Sequence, residues 1–423
     1  MKVHGRFAAI AAVALAATVA LAGCGRDESG GQDEAQSVAE GKASGDITVW
    51  AMGTEGEKLA DFAKEFSTEN PDATVTVTAV PWDAAHQKIA SAIAAKQTPD
   101  VSMIGTTWQG EFAKTGALDP TPPELIKKDA FFPGAWDTTT VDGTSYGVPW
   151  YVETRLIYYR KDLAATAGFP DGPKSWDDLR AMAQAMKDKA GAKWGINLQP
   201  GKTGSWQSVL PFAWSNGATV ATEDQLTFDT PELTEALAYY QSFFKDGLSP
   251  TALPEGALEP GFVKGEIGSF ISGPWHMGIV EEQGGPGFKD KYAVARMPMK
   301  KSSTSFIGGS NLAVFKDAKN RDGGWKFVEW LSKPEVQVKW YQAVKDLPAV
   351  QSAWDDPALA SDTSLATFGE QLEDAKAPPA ISTWEQIAAA FDLEVEKLCK
   401  ENTDPAATAK ATQDKAAAIG TGA

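Results

Sequence analysis

The sequence predicts an α/β protein built on a parallel sheet covered by helices, and three observations lead there. Between Asp46 and Ile104 strand-like and helix-like periodicities alternate as β-α-β-α-β, the wiring of a parallel sheet. Of 423 residues, 43% are hydrophobic and 22% charged, which is enough apolar material for a core and too much for a disordered chain. Only one stretch, at the N-terminus, is continuously apolar. At about 150 residues per domain the length suggests two domains, or three at most.

The elements follow in order. Lys2, His4 and Arg6 precede an apolar run from Phe7 to Ala22, shorter than the ~20 residues of a membrane span and suited to a secretory leader over residues 1–23. The run ends in Leu21-Ala22-Gly23-Cys24, which resembles the bacterial lipobox. That resemblance implies an acylated Cys24 and an anchor on the outer face of the cytoplasmic membrane. Residues 24–45 are rich in Gly, Ser, Gln, Asp and Glu and read as a flexible tether. Asp46 to Trp50 alternates as a strand. Leu59, Phe62, Ala63 and Phe66 form one helical stripe that stops at Asn70-Pro71. A strand is predicted over 74–80, a helix over 83–96 with Asp83 either its N-cap or a ligand contact, and a strand over 100–104. Further on, Ser175 caps a helix over 176–189, residues 194–198 form a short strand, and helices cover 231–246 and 322–331. No second run is apolar enough to cross a membrane.

Composition excludes several functions. Lys and Arg total 39 against 56 Asp and Glu, a net charge of −17, so a nucleic-acid binder acting through basic clusters is excluded. Three His and two Cys leave little for zinc sites or Cys-His nucleophiles. No metal and no cofactor are expected. With Cys24 acylated, Cys399 has no partner and reads as a core thiol of a helix. Gly143-Thr-Ser-Tyr-Gly147 matches the G-x-S-x-G elbow, but Pro149 follows at once and no helix can start, so Asp142-Gly143 is read as a hairpin turn. The enzyme class left open is a two-carboxylate glycoside hydrolase, which needs no His.

Six short pieces in order resemble an extracellular solute-binding protein of an ABC importer, in the family that includes maltose-binding protein. They are Ile47-Thr-Val-Trp-Ala-Met-Gly53; Asp100-Val-Ser-Met-Ile with Gly116-Ala-Leu-Asp119; Tyr146-Gly-Val-Pro149; Leu156-Ile-Tyr-Tyr-Arg-Lys-Asp162; Ser272-Gly-Pro-Trp275; and Leu347-Pro348. The resemblance implies a two-lobed α/β fold. Residues 46–152 and 309–348 would form the N-terminal lobe and residues 153–308 and 349–423 the C-terminal lobe, joined by a hinge crossed three times, near Val152, Gly308 and Pro348. It also implies a monomer that is not an enzyme, whose partners are a solute held between the lobes and the permease subunits that receive it.

The fifteen Trp and the carboxylates point to a sugar. Ring C–H patches pack on aromatic faces, and hydroxyls pair with carboxylates and guanidinium groups. The resemblance places Glu153 on the hinge strand and makes Trp275, Trp384 and Trp206 stacking residues. Arg155, two residues on in an extended strand, shares a side with Glu153 and is either a ligand contact or its structural partner. Thr54 and Glu55 end the first strand, and Trp108 leaves the third at the same edge, where open sheets bind ligands. Gly309-Ser310-Asn311 offers backbone N–H groups and an amide, although a tight turn would also use Gly. His276 is either a ligand contact or structural. Many Trp faces favour a di- or oligosaccharide. An amino acid, a polyamine or a metal chelate remains the alternative solute.

Overall fold

A computed structural model describes residues 35–202, 204–222 and 224–422. The predicted leader and Cys24 lie outside them. Strand β1 (Gly45–Met52) pairs in parallel with β2 (Ala73–Val80) and β3 (Val101–Gly105). Helices Gly53–Glu69 and Trp82–Ala95 connect them, so the opening alternation has the expected wiring. The first helix starts well before its apolar stripe, because Gly53-Thr-Glu-Gly is polar and leaves no periodic signal. Asp83 is not the cap of the second. That helix begins at Trp82 after Pro81, with no side-chain cap bond, and Asp83 sits in its first turn.

Strands β4 (Thr140–Val141) and β5 (Thr144–Ser145) form a hairpin around Asp142-Gly143. Both turn residues have positive φ, 50° and 79°, as a two-residue primed turn requires. Strand β6 (Val148–Thr154) runs into the large sheet, and β7 (Leu156–Arg160) leaves it for a second sheet. There β7 lies between β8 (Ser269–Ser272) and β9 (Tyr292–Ala295), antiparallel to both. Strand β10 (Ser305–Val314) returns to the large sheet between β6 and β3. β11 (Leu347–Pro348) pairs with β6, and β12 (Ala375–Lys376) with the start of β10. The large sheet therefore runs β11-β6-β10-β3-β1-β2, parallel at one end and antiparallel at the other.

Two main cores form. One gathers Ile47, Val49, Leu59, Phe66, Trp325 and Trp340 around the large sheet and continues onto Tyr158, Phe270 and Tyr292 of the small one; the other gathers Trp176, Leu179, Phe212, Tyr240, Phe391 and Leu398 with Ile157 and Tyr159 of the small sheet. The Trp176–Ala190 helix carries a capping box between Ser175 and Asp178, as the sequence predicts. The helices Pro231–Lys245 and Arg321–Leu331 also stand close to expectation. Residues 194–198 do not form a strand. Their backbone bonds alternate between Leu248 and the 266–269 segment, so no continuous ladder forms. Residues 35–44, the distal part of the expected tether, lie against the protein. Arg321 donates to the carbonyls of Gln36 and Ser37, Asp322 accepts from the Ala39 N–H, and Ala43 is 2% exposed. Cys399 is buried in the Trp384–Lys400 helix, and burial pushes its thiol up to about 12. Among the described residues no helix is long and apolar enough to cross a membrane.

Candidate functional site

Between the carboxyl ends of β2 and β3 and the end of β6 lies a cavity of about 250 Å³, lined by Trp82, Thr106, Trp108, Tyr151, Glu153, Gln207, Phe306 and Gly309. Glu153 comes from β6. Arg155, in the single residue between β6 and β7, folds back onto it, with Nη1 3.3 Å from Oε2 and Nη2 3.4 Å from Oε1. Nη2 also donates to Gln207 Oε1. The guanidinium lies 4.8 Å from the Trp275 ring and 5.2 Å from Phe306. It is therefore a partner of Glu153 and at the same time the wall behind Trp275. Its Nη1 is buried without a hydrogen bond of its own.

Trp275 is 41% exposed. Its ring lies over Gly273, where a Cβ would come within 2.0 Å of it, which is why the Ser-Gly-Pro-Trp turn needs glycine there. In the lining of the cavity Trp82, 40% exposed, meets Trp108 edge-on at 5.7 Å. His86 backs Trp108 at 5.3 Å. The Trp82 and Trp275 rings are thus both partly open to solvent, and Trp108 lines the cavity. Thr54 is exposed on the first turn of the Gly53–Glu69 helix.

Carboxylates gather beneath. Glu55, buried in the same first turn, bonds the Tyr151 hydroxyl, and burial raises its pKa above the usual carboxylate range. Asp346 is raised by burial and by the charge of Glu55, and it accepts from the Trp340 indole N–H at 3.0 Å. Among the described residues no group of three His, Cys, Asp or Glu has the arrangement to hold a metal.

Three predicted residues lie away from the open faces. Trp206 and Trp384 are 4% and 1% exposed and pack edge-to-face at 5.3 Å. Trp206 also meets Phe306 at 5.2 Å, so the pair forms a floor under Phe306. Asn311 is fully buried, donating to Gln109 Oε1 at 3.2 Å and bonded to Thr138. His276 is held by Ser272 Oγ at 2.6 Å and Glu259 Oε1 at 3.0 Å, and burial lowers its pKa. It lines a separate cavity of about 470 Å³ together with Ser208, Glu259, Ile271 and Ser272. Sequence reasoning missed Trp82, Tyr151, Gln207 and Phe306. Trp82 alone carried a signal, an aromatic residue where a strand meets its helix at the carboxyl edge.

A family model described as bacterial extracellular solute-binding protein matches residues 51–338. A binding protein of Brucella abortus is 30% identical over 373 residues, covering 86% of this chain and 90% of its own. The diacetylchitobiose binding protein DasA of Streptomyces coelicolor is 28% identical over 342 residues, 76% of each chain. Among solved structures, the sugar-binding protein MalE of Xanthomonas citri superposes with a TM-score of 0.83 at 32% identity, covering 89% of this chain and 97% of that one. These relatives are binding proteins, and the chain shares their two-lobed α/β fold.

Proposed function

The chain belongs to the bacterial extracellular solute-binding protein family, and on that premise we propose that it captures a di- or oligosaccharide between its lobes for an ABC permease. The observation that carries the reading is a cavity lined by the indoles of Trp82 and Trp108 and by Glu153, whose partner Arg155 lies against the half-exposed ring of Trp275. Stacked aromatic faces suit the C–H patches of successive sugar rings, and the carboxylate and guanidinium suit their hydroxyls. Glu55, Trp108, Glu153, Arg155 and Trp275 are the proposed contacts, with Trp82 and Gln207 added. Thr54 reaches ligand only at the rim. Trp206 and Trp384 support the floor, and Asn311 holds the sheet end.

The lobes, residues 46–152 with 309–348 and 153–308 with 349–423, close over the ligand as the family does, and the permease reads the closed form. Acylation of Cys24 holds the protein at the membrane. By their names one of the relatives above binds a sugar and another diacetylchitobiose, so the linkage taken here is tested with a panel. Melting shifts across α- and β-linked oligosaccharides, followed by calorimetry on the best, decide the matter. Saturation at 100 times Kd adds about 2.7 kcal/mol. A panel without a shift, together with a shift from an amino acid or polyamine, would replace the sugar.

A further inference from the structure

We propose that Asp392, which lies outside the cleft, is a positioning residue for ligand binding: it fixes the first turn of the Trp206–Ser215 helix and, through Gln207, the orientation of Arg155. This rests on the reading of the cleft as the ligand site. Asp392 sits on the Trp384–Lys400 helix and is 5% exposed. Its Oδ2 accepts from the Gly204 N–H at 2.7 Å, and its Oδ1 accepts from the Ser205 hydroxyl at 2.7 Å and the Trp206 N–H at 2.8 Å.

The Trp206–Ser215 helix needs this. A helix start leaves N–H groups without partners, and the residue before it normally caps one. Ser205 has helical φ and ψ and makes no cap bond to the helix backbone. The cap is supplied instead by a carboxylate nearly 190 residues further along the chain, of the charge that a helix N-terminus favours. The residue after Trp206 is Gln207, whose Oε1 accepts from Arg155. Glu153 approaches Arg155 only at 3.3–3.4 Å, longer than the 2.7–2.9 Å of a strong charge-assisted bond. Gln207 is thus the second support of a long side chain that backs the Trp275 face. Trp384, at the start of the helix that carries Asp392, packs edge-on against the Trp206 ring. One helix therefore sets the turn twice, by a carboxylate and by a ring.

The test is a coupling measurement. Asp392→Asn keeps an acceptor and the volume and removes the charge; Ser205→Ala, which loses one of the three bonds, is the milder second variant. Affinity for maltotriose and for diacetylchitobiose is measured by calorimetry, with and without Gln207→Ala. In the ligand-free protein the Arg155 Nε–H resonance is followed by NMR. Expected are a cooperative melting transition, a shifted and faster-exchanging Arg155 signal, and affinity weaker by about tenfold. No further loss is expected when Gln207→Ala is already present. An unmoved Arg155 signal with unchanged affinity, or a loss that multiplies with that of Gln207→Ala, overturns the proposal. If wild type binds neither sugar, the reading of the ligand is at fault, and the Arg155 signal alone decides the role of Asp392.

Discussion

Glu153 and Trp275 act on a ligand by different physics, and their substitutions separate the two. Trp275→Ala removes an open face stacked on Arg155 and should cost about 2 kcal/mol of binding, as buried aromatic anchors do. Glu153→Ala removes a charge-assisted acceptor, about 1.5–3 kcal/mol. Calorimetry with unchanged affinity in both would displace the site. A third test concerns pH. Glu55 and Asp346 both have pKa values raised above their unfolded values. Between the unfolded and folded values the native state binds more protons, so this pair's contribution to stability falls as pH rises through that window. Burial and each other's charge make ionisation of this pair costly. Asp346→Asn, which keeps an acceptor for Trp340, should raise the melting temperature at pH 7. The gain should shrink as pH falls toward the ordinary carboxyl range of about 4. A variant less stable than wild type at pH 7 contradicts the repulsion.

Elements join where β10 turns through the site. Gly309 has φ of 123°, and a Cβ there would lie 2.1 Å from the Tyr151 carbonyl oxygen. The register with β6 shifts just beyond, between Ser310 and Asn311. A bulge there aims Gly309 at the cavity and Asn311 into the core, so the tight turn expected of these glycines is a strand irregularity instead. Gly309→Ala should cost about 1–3 kcal/mol of stability, read by denaturant titration. A smaller loss would mean the strands slide apart easily. The Ser175 cap gives a contrasting figure. Ser175→Ala should cost about 1 kcal/mol with no change in affinity, because its helix packs away from the cavity in the small sheet's core.

Closure belongs to the whole molecule. A ligand touching one lobe gains nothing from closing, whereas one held by Trp82 and Trp275 favours the closed state by its extra contacts. Shifting 1:99 to 99:1 takes about 5.5 kcal/mol of differential affinity, within reach of stacking faces and a few hydrogen bonds. Small-angle scattering should show a smaller radius of gyration at saturation with the sugar that gives the largest melting shift. An unchanged radius, with an interlobe distance probe also unchanged, rules closure out. The anchor is tested separately: Cys24→Ala should move the protein from the membrane fraction to the medium, since firm attachment needs the acyl chains.

Local pattern determined much of this protein. The parallel strands β1, β2 and β3, the capped helix at Ser175, the turn at Asp142-Gly143 and the ordered motifs of the family are all written in neighbouring residues, because periodicity, caps and turns act over a few positions. The fate of each tryptophan is not local. Trp275 and Trp206 are the same side chain in the sequence, yet one is 41% exposed and the other 4%, because Phe306 and Trp384 arrive from elsewhere in the chain to cover the second. Gln207 meets Arg155 across 52 residues, and Asp392 caps a helix far behind it. Burial and long-range pairing depend on which segments come to lie together, and only the tertiary structure decides that.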